Sequence, residues 1–166
     1  QYLCGITFWR DLKLKVTNKV LIPRPETELI VDIVFNIFRK KSEKLFFAEL
    51  GTGSGAISIA LALAYPLSKG VATDIEQDAL EIATKNFINS SKQSNLKFYC
   101  GNWWSPLESF KGKLDLAISN PPYIPRDTYE KLPKEVKNFE PKVALLGGED
   151  GLKHIREIID LSLIHI

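Results

Sequence analysis

The sequence predicts an α/β protein, a doubly wound, Rossmann-like parallel sheet with helices on both faces. Three observations predict it. From Leu45 onward, short apolar runs alternate with stretches of helical spacing; Gly51, Gly53 and Gly55 crowd the first strand-to-helix turn; and Asp74 closes the second apolar run. Buried parallel strands read as continuous apolar runs, and strand–helix alternation is the pattern of crossover units.

The elements follow in order. Leu12, Leu14 and Val16 alternate with lysines, and Thr17-Asn18-Lys19 supplies turn residues before Val20-Leu21-Ile22, which predicts a hairpin across that turn. Pro25 is placed to open a helix, because a first-turn residue loses nothing by lacking an N–H. Glu26 and Glu28 suit the positive end of its dipole and Arg39-Lys40-Lys41 the negative end, with Ile30, Ile33, Val34, Ile37 and Phe38 at helical spacing between them. The core then reads as a strand over 45–50, a glycine loop over 51–55, a helix over 56–65 ended by Pro66, a strand over 70–74 and a helix over 77–90. Strands over 96–100 and 114–119 come next. The segment 121–151 is rich in Pro, Gly and charge and too long to be an idle connector, and a last helix begins at Leu152.

Composition narrows the class. The chain has 166 residues, 45% hydrophobic and 25% charged, with a net charge of +2. That is one globular domain, with no global charge advertising a nucleic-acid binder. The longest apolar run, near Ile57 to Ala64, is far short of a membrane span. Cys4 and Cys100 suit a reduced intracellular chain rather than a disulfide framework; Cys100, at the end of a strand, reads as core. The chain contains no methionine and stops inside an apolar pattern, so it reads as a fragment: residues 1–24 a linker hairpin from a missing amino-terminal domain, residues 25–166 a catalytic domain lacking its last strands.

Three motifs carry chemistry. Glu49-Leu50-Gly51-Thr52-Gly53-Ser54-Gly55 lets a ligand lie against bare backbone at a helix N-terminus; alone it also fits a dinucleotide fingerprint or an unliganded tight turn. Asp74, about twenty residues on, can accept both hydroxyls of a ribose. It supports an adenosine cofactor without choosing between a nicotinamide dinucleotide and S-adenosylmethionine. Asn120-Pro121-Pro122-Tyr123 chooses. It follows an apolar strand at the end where open α/β sheets bind ligands, and the prolines hold the backbone extended. The Asn120 side-chain oxygen and the Pro121 carbonyl can accept the two hydrogens of one NH₂ group, under the ring of Tyr123. This suits methylation of a planar, resonance-tied nitrogen, which needs orientation more than a charged base. The sulfonium donor is already activated, so no metal is required.

With these residues in view the chain resembles the protein-(glutamine-N5) methyltransferases of the HemK/PrmC group, which act on peptide chain release factors. The resemblance rests on Phe8-Trp9, Leu21 to Glu28, the glycine loop, Asn120 to Tyr123, and Phe139-Glu140-Pro141. It implies a class I S-adenosylmethionine-dependent methyltransferase fold in a cytoplasmic protein, with S-adenosylhomocysteine as product. It also implies that Gly51 to Gly55 cradle the methionine part of the cofactor, that Asp74 binds its ribose, and that Trp103 lies against its adenine, with Pro23, Arg24 and Thr27 lining the other side. Asn120, Pro121, Pro122 and Tyr123 would hold the glutamine of a Gly-Gly-Gln loop. Glu49 stands where Asp is common and keeps the carboxylate. Asn102 also stands where Asp is common; its amide can still hydrogen-bond adenine, more weakly.

The remaining residues read as structure. His154 and His165 lack partners at metal-ligand spacing, Trp104 reads as packing, Glu76 and Asp78 as helix-capping or solvated, and Lys131, Lys134, Lys137 and Lys142 as a solvated face. The competing activity is methylation of an exocyclic amino group of adenine or guanine, which shares the geometry; the modest charge argues against it. The expected partner is therefore a release factor, with no membrane and no direct nucleic acid. A fragment that only binds cofactor, and a dinucleotide-dependent dehydrogenase, are the further alternatives, the last opposed by Asn120 to Tyr123.

Overall fold

The structure, a computed structural model, describes residues 2–40, 42–91 and 95–166. The chain enters through an antiparallel hairpin, β1 (Ile6–Trp9) and β2 (Leu12–Lys15), with Trp9 paired to Leu12. This corrects the hairpin expected across Thr17–Lys19. The turn is at Arg10-Asp11, where Arg10 takes a left-handed φ of 49°. Leu12 and Leu14 do point inward, but they belong to the second strand, and the first buries Thr7 and Trp9 while Ile6 and Phe8 face out. An outer face with two large apolar residues hid the alternation. Thr17 still turns the chain, accepting from the Val20 N–H at 3.2 Å, but Val20 and Ile22 are packed as coil with Ala79 and Ile82.

Pro25–Thr27 forms a 3₁₀ turn leading into α1 (Glu28–Ile37). Its buried side is Val31 and Val34, whereas Ile33 and Ile37 are 49% and 63% exposed. Of the residues at helical spacing, Val34 is buried and Ile30 and Phe38 pack against the core, while Val31 takes the place of Ile33 and Ile37, because apolar residues ring most of this helix and period alone does not choose a side. Arg39 Nε donates to the Asn36 carbonyl at 3.2 Å, as a cation near a helix C-terminus should; Lys41 lies outside the described residues.

The sheet follows: β3 (Phe46–Leu50), α2 (Ala56–Ala64), β4 (Lys69–Asp74), α3 (Gln77–Ser90), β5 (Leu96–Cys100) and β6 (Leu116–Ser119). The order is β5-β4-β3-β6, every pair parallel. Alternation along β3 serves both faces. Phe47 packs into the cluster with α1 and α2, and Ala48 and Leu50 into the opposite cluster with Trp104, Leu107 and Leu114. Cys100 proves exposed rather than core, since it is the last residue of the edge strand β5.

Between β6 and the last helix lie α4 (Arg126–Glu130), α5 (Lys134–Phe139) and a 3₁₀ turn over Lys142–Ala144, then α6 (Lys153–His165). None of the described helices is long and apolar enough to cross a membrane. The chain winds from β3 outward to β5, then returns to β6 on the other side of β3. That reversal opens a crevice at the carboxyl ends of β3 and β6, where ligands bind in open α/β sheets.

Candidate active site

The crevice is one cleft lined from every segment the topology brings to that edge. Pro23, Arg24 and Thr27 come from the approach to α1, Gly51 to Ser54 from the glycine loop, and Asp74 from the end of β4. Asn102 and Trp103 follow β5, and Asn120 and Pro122 follow β6. The loops after β3 and β6 are tied together where Ser119 Oγ donates to the Leu50 carbonyl at 2.7 Å.

The glycine loop turns on hydrogen bonds from the Gly51 and Thr52 N–H groups to the Thr73 carbonyl, both 2.9 Å. Gly51 sits at φ 74°, and a Cβ there would meet the Trp103 ring at 2.9 Å. The residue must therefore be glycine for both backbone and space. Beneath the loop, Glu49 is 2% exposed and accepts from Thr52 Oγ1 at 2.5 Å and from the Ser58 N–H at 3.0 Å. Burial dominates and pushes its carboxyl up to about 7, against the opposing pull of those hydrogen bonds.

Asp74 is held by two backbone donors, the Gly53 N–H at 2.8 Å and the Glu76 N–H at 3.0 Å. Its carboxyl is raised above the ordinary range, chiefly by burial. Asn120 Nδ2 donates to Thr27 Oγ1 at 3.4 Å, so the amide nitrogen is turned toward Thr27 and the side-chain oxygen keeps its capacity to accept. Trp103 takes φ 44°, unusual for a bulky residue. Its carbonyl accepts from Thr73 Oγ1 at 3.0 Å and its indole N–H donates to Glu157 at 3.0 Å.

Gly55, Pro121 and Tyr123 were expected at the site but do not line the cleft. Gly55 is the N-cap of α2 at φ 84°, and a Cβ there would meet Ile59 and Ala83; its place is packing behind the loop. Tyr123 is 61% exposed at the rim.

Several residues read as bland are part of the wall. His154 and Glu76 line the cleft, together with Val143 and Ala144. His154 Nδ1 contacts Glu157 at 3.2 Å, so the histidine read from sequence as lacking a partner has one, a helical turn on in α6. The seat beneath Asn120 to Tyr123 was also missed. Ile124 N–H donates to the Leu145 carbonyl and Gly147 N–H to the Ile124 carbonyl, each 2.9 Å. A Cβ on Gly147 would fall 2.8 Å from the Pro122 carbonyl oxygen, and one on Gly151 2.4 Å from that of Tyr123. The glycine cluster Gly147, Gly148 and Gly151 was the available signal.

The model of the methyltransferase small domain family matches residues 28–135. The chain belongs to that family. Among curated relatives, one from Synechocystis, named release factor glutamine methyltransferase, is 45% identical over 98% of this chain and 55% of its own length. One of the same name from Prochlorococcus marinus is 42% identical over 96% of this chain and 55% of its own length. The resemblance read from the motifs is borne out, and the chain spans about 55% of the length of these relatives. Among solved structures, the hMettl16 catalytic domain in complex with a MAT2A 3′UTR hairpin superposes with a TM-score of 0.71 at 15% identity, covering 92% of this chain and 56% of that one. That match bears out the fold.

Proposed function

We propose that this chain is the catalytic core of an S-adenosylmethionine-dependent methyltransferase that methylates the N5 nitrogen of the glutamine in the Gly-Gly-Gln loop of peptide chain release factors. The observation that carries the reading is the single cleft in which Asn120 and Pro122 share walls with Gly51 to Ser54 and Asp74. The names of the curated relatives point to the same substrate.

The donor set fits the cofactor. Gly51 to Ser54 offer a backbone cradle, with the Trp103 ring packed where a Cβ on Gly51 would be, and Asp74 offers a carboxylate fixed by two N–H groups for a ribose diol. Asn102 and Trp103, which line the same cleft, would hold the adenine, with Pro23 and Thr27 completing the lining. When bound, S-adenosylmethionine supplies a methyl group on a sulfonium, and S-adenosylhomocysteine is the product.

The chain's own residues supply orientation. Asn120 Oδ1, on the cleft wall, accepts one amide hydrogen, and the carbonyl of the adjoining Pro121, which does not itself line the cleft, accepts the other once the entering loop is seated, so the nitrogen lone pair turns out of its plane toward the donor methyl. A near-attack separation of about 3–3.5 Å is what such placement achieves. The same two oxygens stabilise positive charge developing on nitrogen, and the displaced proton leaves through them to water. Tyr123, at the rim, offers its ring to the entering loop. We place the parent protein in the cytoplasm beside its translation-factor substrate, without direct nucleic-acid contact, and read residues 1–24 as the hairpin leading into a catalytic domain over 25–166.

The test is transfer of label from S-adenosylmethionine, by the protein carrying this chain, to a release factor and to its Gln→Ala variant. Label on the first alone supports the reading. Label on neither, but on RNA or DNA, replaces it with methylation of an exocyclic amino group of adenine or guanine.

A further inference from the structure

We infer that Arg24 and Glu140 form a brace holding the segment between β6 and α6 over the cleft, so that Arg24 acts as a positioning residue through Glu140. The inference rests on the cofactor reading above for its consequence, though not for its geometry. Arg24 Nη2 reaches both carboxylate oxygens of Glu140, at 2.5 and 2.7 Å, across 116 residues of sequence. The Glu140 side chain is only 10% exposed, against 44% for Arg24.

Both ends of the brace are anchored. The Arg24 carbonyl accepts the Trp9 indole N–H at 2.9 Å and the Thr27 N–H at 3.1 Å, which fixes the strand of chain bearing the guanidinium. Glu140 caps α5, its N–H donating to the Val136 carbonyl at 2.9 Å. Val143 and Ala144, just beyond it, line the same cleft as Pro23 and Arg24. The contact therefore joins two cleft-lining stretches far apart in sequence.

An exposed ion pair contributes little to stability. A carboxylate enclosed as Glu140 is behaves differently, because losing its partner strands a charge away from water. Removing Arg24 should then loosen 136–146 more than neutralising Glu140 does, and an arginine on either side should serve.

The experiment compares amide hydrogen exchange over residues 136–146 in the unaltered chain, Arg24→Glu, Glu140→Arg and the double swap. Each single reversal is expected to speed exchange there by roughly tenfold, and the swap to restore it to within about threefold. S-adenosylhomocysteine affinity, measured by calorimetry, should follow the same order. A swap no better protected than Arg24→Glu overturns the brace, as does unchanged exchange in both singles. If the reversals fail to fold, Arg24→Gln should be rescued in part by adding Glu140→Gln, and additive losses overturn the inference equally. Should the unaltered chain bind no S-adenosylhomocysteine, the cofactor reading fails while the exchange data still decide the brace.

Discussion

At Glu49 one carboxylate is asked to hold a loop from beneath while shut away from water, and its acidity records the strain between those demands. Burial raises it from 4.5 to about 7 although Thr52 and Ser58 donate to it. Below about pH 4.5 the group is protonated in folded and unfolded chains alike. Between that pH and about 7 the unfolded chain releases the proton and the folded chain keeps it, so the stability this group contributes falls as pH rises through the window. Glu49→Gln removes the titration. The stability difference between the chain and this variant, from urea unfolding, should shift in the variant's favour from pH 5 to pH 7.5, by on the order of a few kcal/mol. A difference that stays constant with pH would remove the argument. The role proposed for Asn120 makes the opposite kind of demand, orientation rather than charge. Asn120→Ala should leave S-adenosylhomocysteine affinity within about threefold while turnover on a release factor falls about a hundredfold or more, the scale of a lost oriented contact. If turnover survives, the amide-holding role belongs elsewhere.

At the level of elements, what the sequence disclosed followed how locally each feature is determined. The glycine loop, β4 and α3 were legible because their signals are short-range: glycines needing left-handed backbone, a buried apolar run, a clean helical stripe. The face of α1 was legible only in part, at Ile30, Val34 and Phe38, because Leu29, Ile30, Val31, Ile33 and Val34 offer apolar surface nearly all round and tertiary packing made the choice. The hairpin was misplaced by the same kind of ambiguity, with Ile6 and Phe8 outward. The seat under Asn120 to Tyr123 was invisible for another reason, since it joins Ile124 to Leu146 across the long segment in a single parallel bridge. Gly151 shows how tight that seat is. It holds φ 79°, and a Cβ would sit 2.4 Å from the Tyr123 carbonyl oxygen and 3.2 Å from the Pro125 ring. Gly151→Ala should displace the Asn120–Tyr123 segment, cutting kcat by about tenfold or more while S-adenosylhomocysteine affinity changes little. Gly112→Ala, also at positive φ (66°) but with open space around it, controls for backbone strain alone. Equal losses in the two variants would reduce the seat to a conformational preference.

Across the whole molecule, the entry hairpin and the sheet are held by one apolar cluster. Trp9, Leu12 and Leu14 share it with Val31, Val34, Phe47 and the buried side of α2. The Asn86 side chain adds a polar tie, accepting from the Lys15 N–H at 2.7 Å while donating to the Lys15 carbonyl at 3.0 Å and to the Ser54 carbonyl at 2.9 Å. One side chain of α3 thus links the hairpin to the glycine loop. The hairpin should therefore unfold with the sheet rather than ahead of it. Trp9 is the sharpest probe, because it is 2% exposed and its indole N–H is spent on the Arg24 carbonyl. Trp9→Ala should cost about 3–5 kcal/mol, the range for truncating a large buried aromatic. That is a large share of the 5–15 kcal/mol typical of a folded domain. It should appear as a lower urea midpoint in a single transition, seen alike by exchange in β2 and in β4. Trp9→Phe keeps most of the packing and loses the hydrogen bond, so its cost should be nearer 1 kcal/mol. Because that bond fixes Arg24, this variant should also speed exchange over 136–146. Two separate transitions in Trp9→Ala, or an unmoved midpoint, would mean that the hairpin is an attachment to the sheet rather than part of its cooperative core.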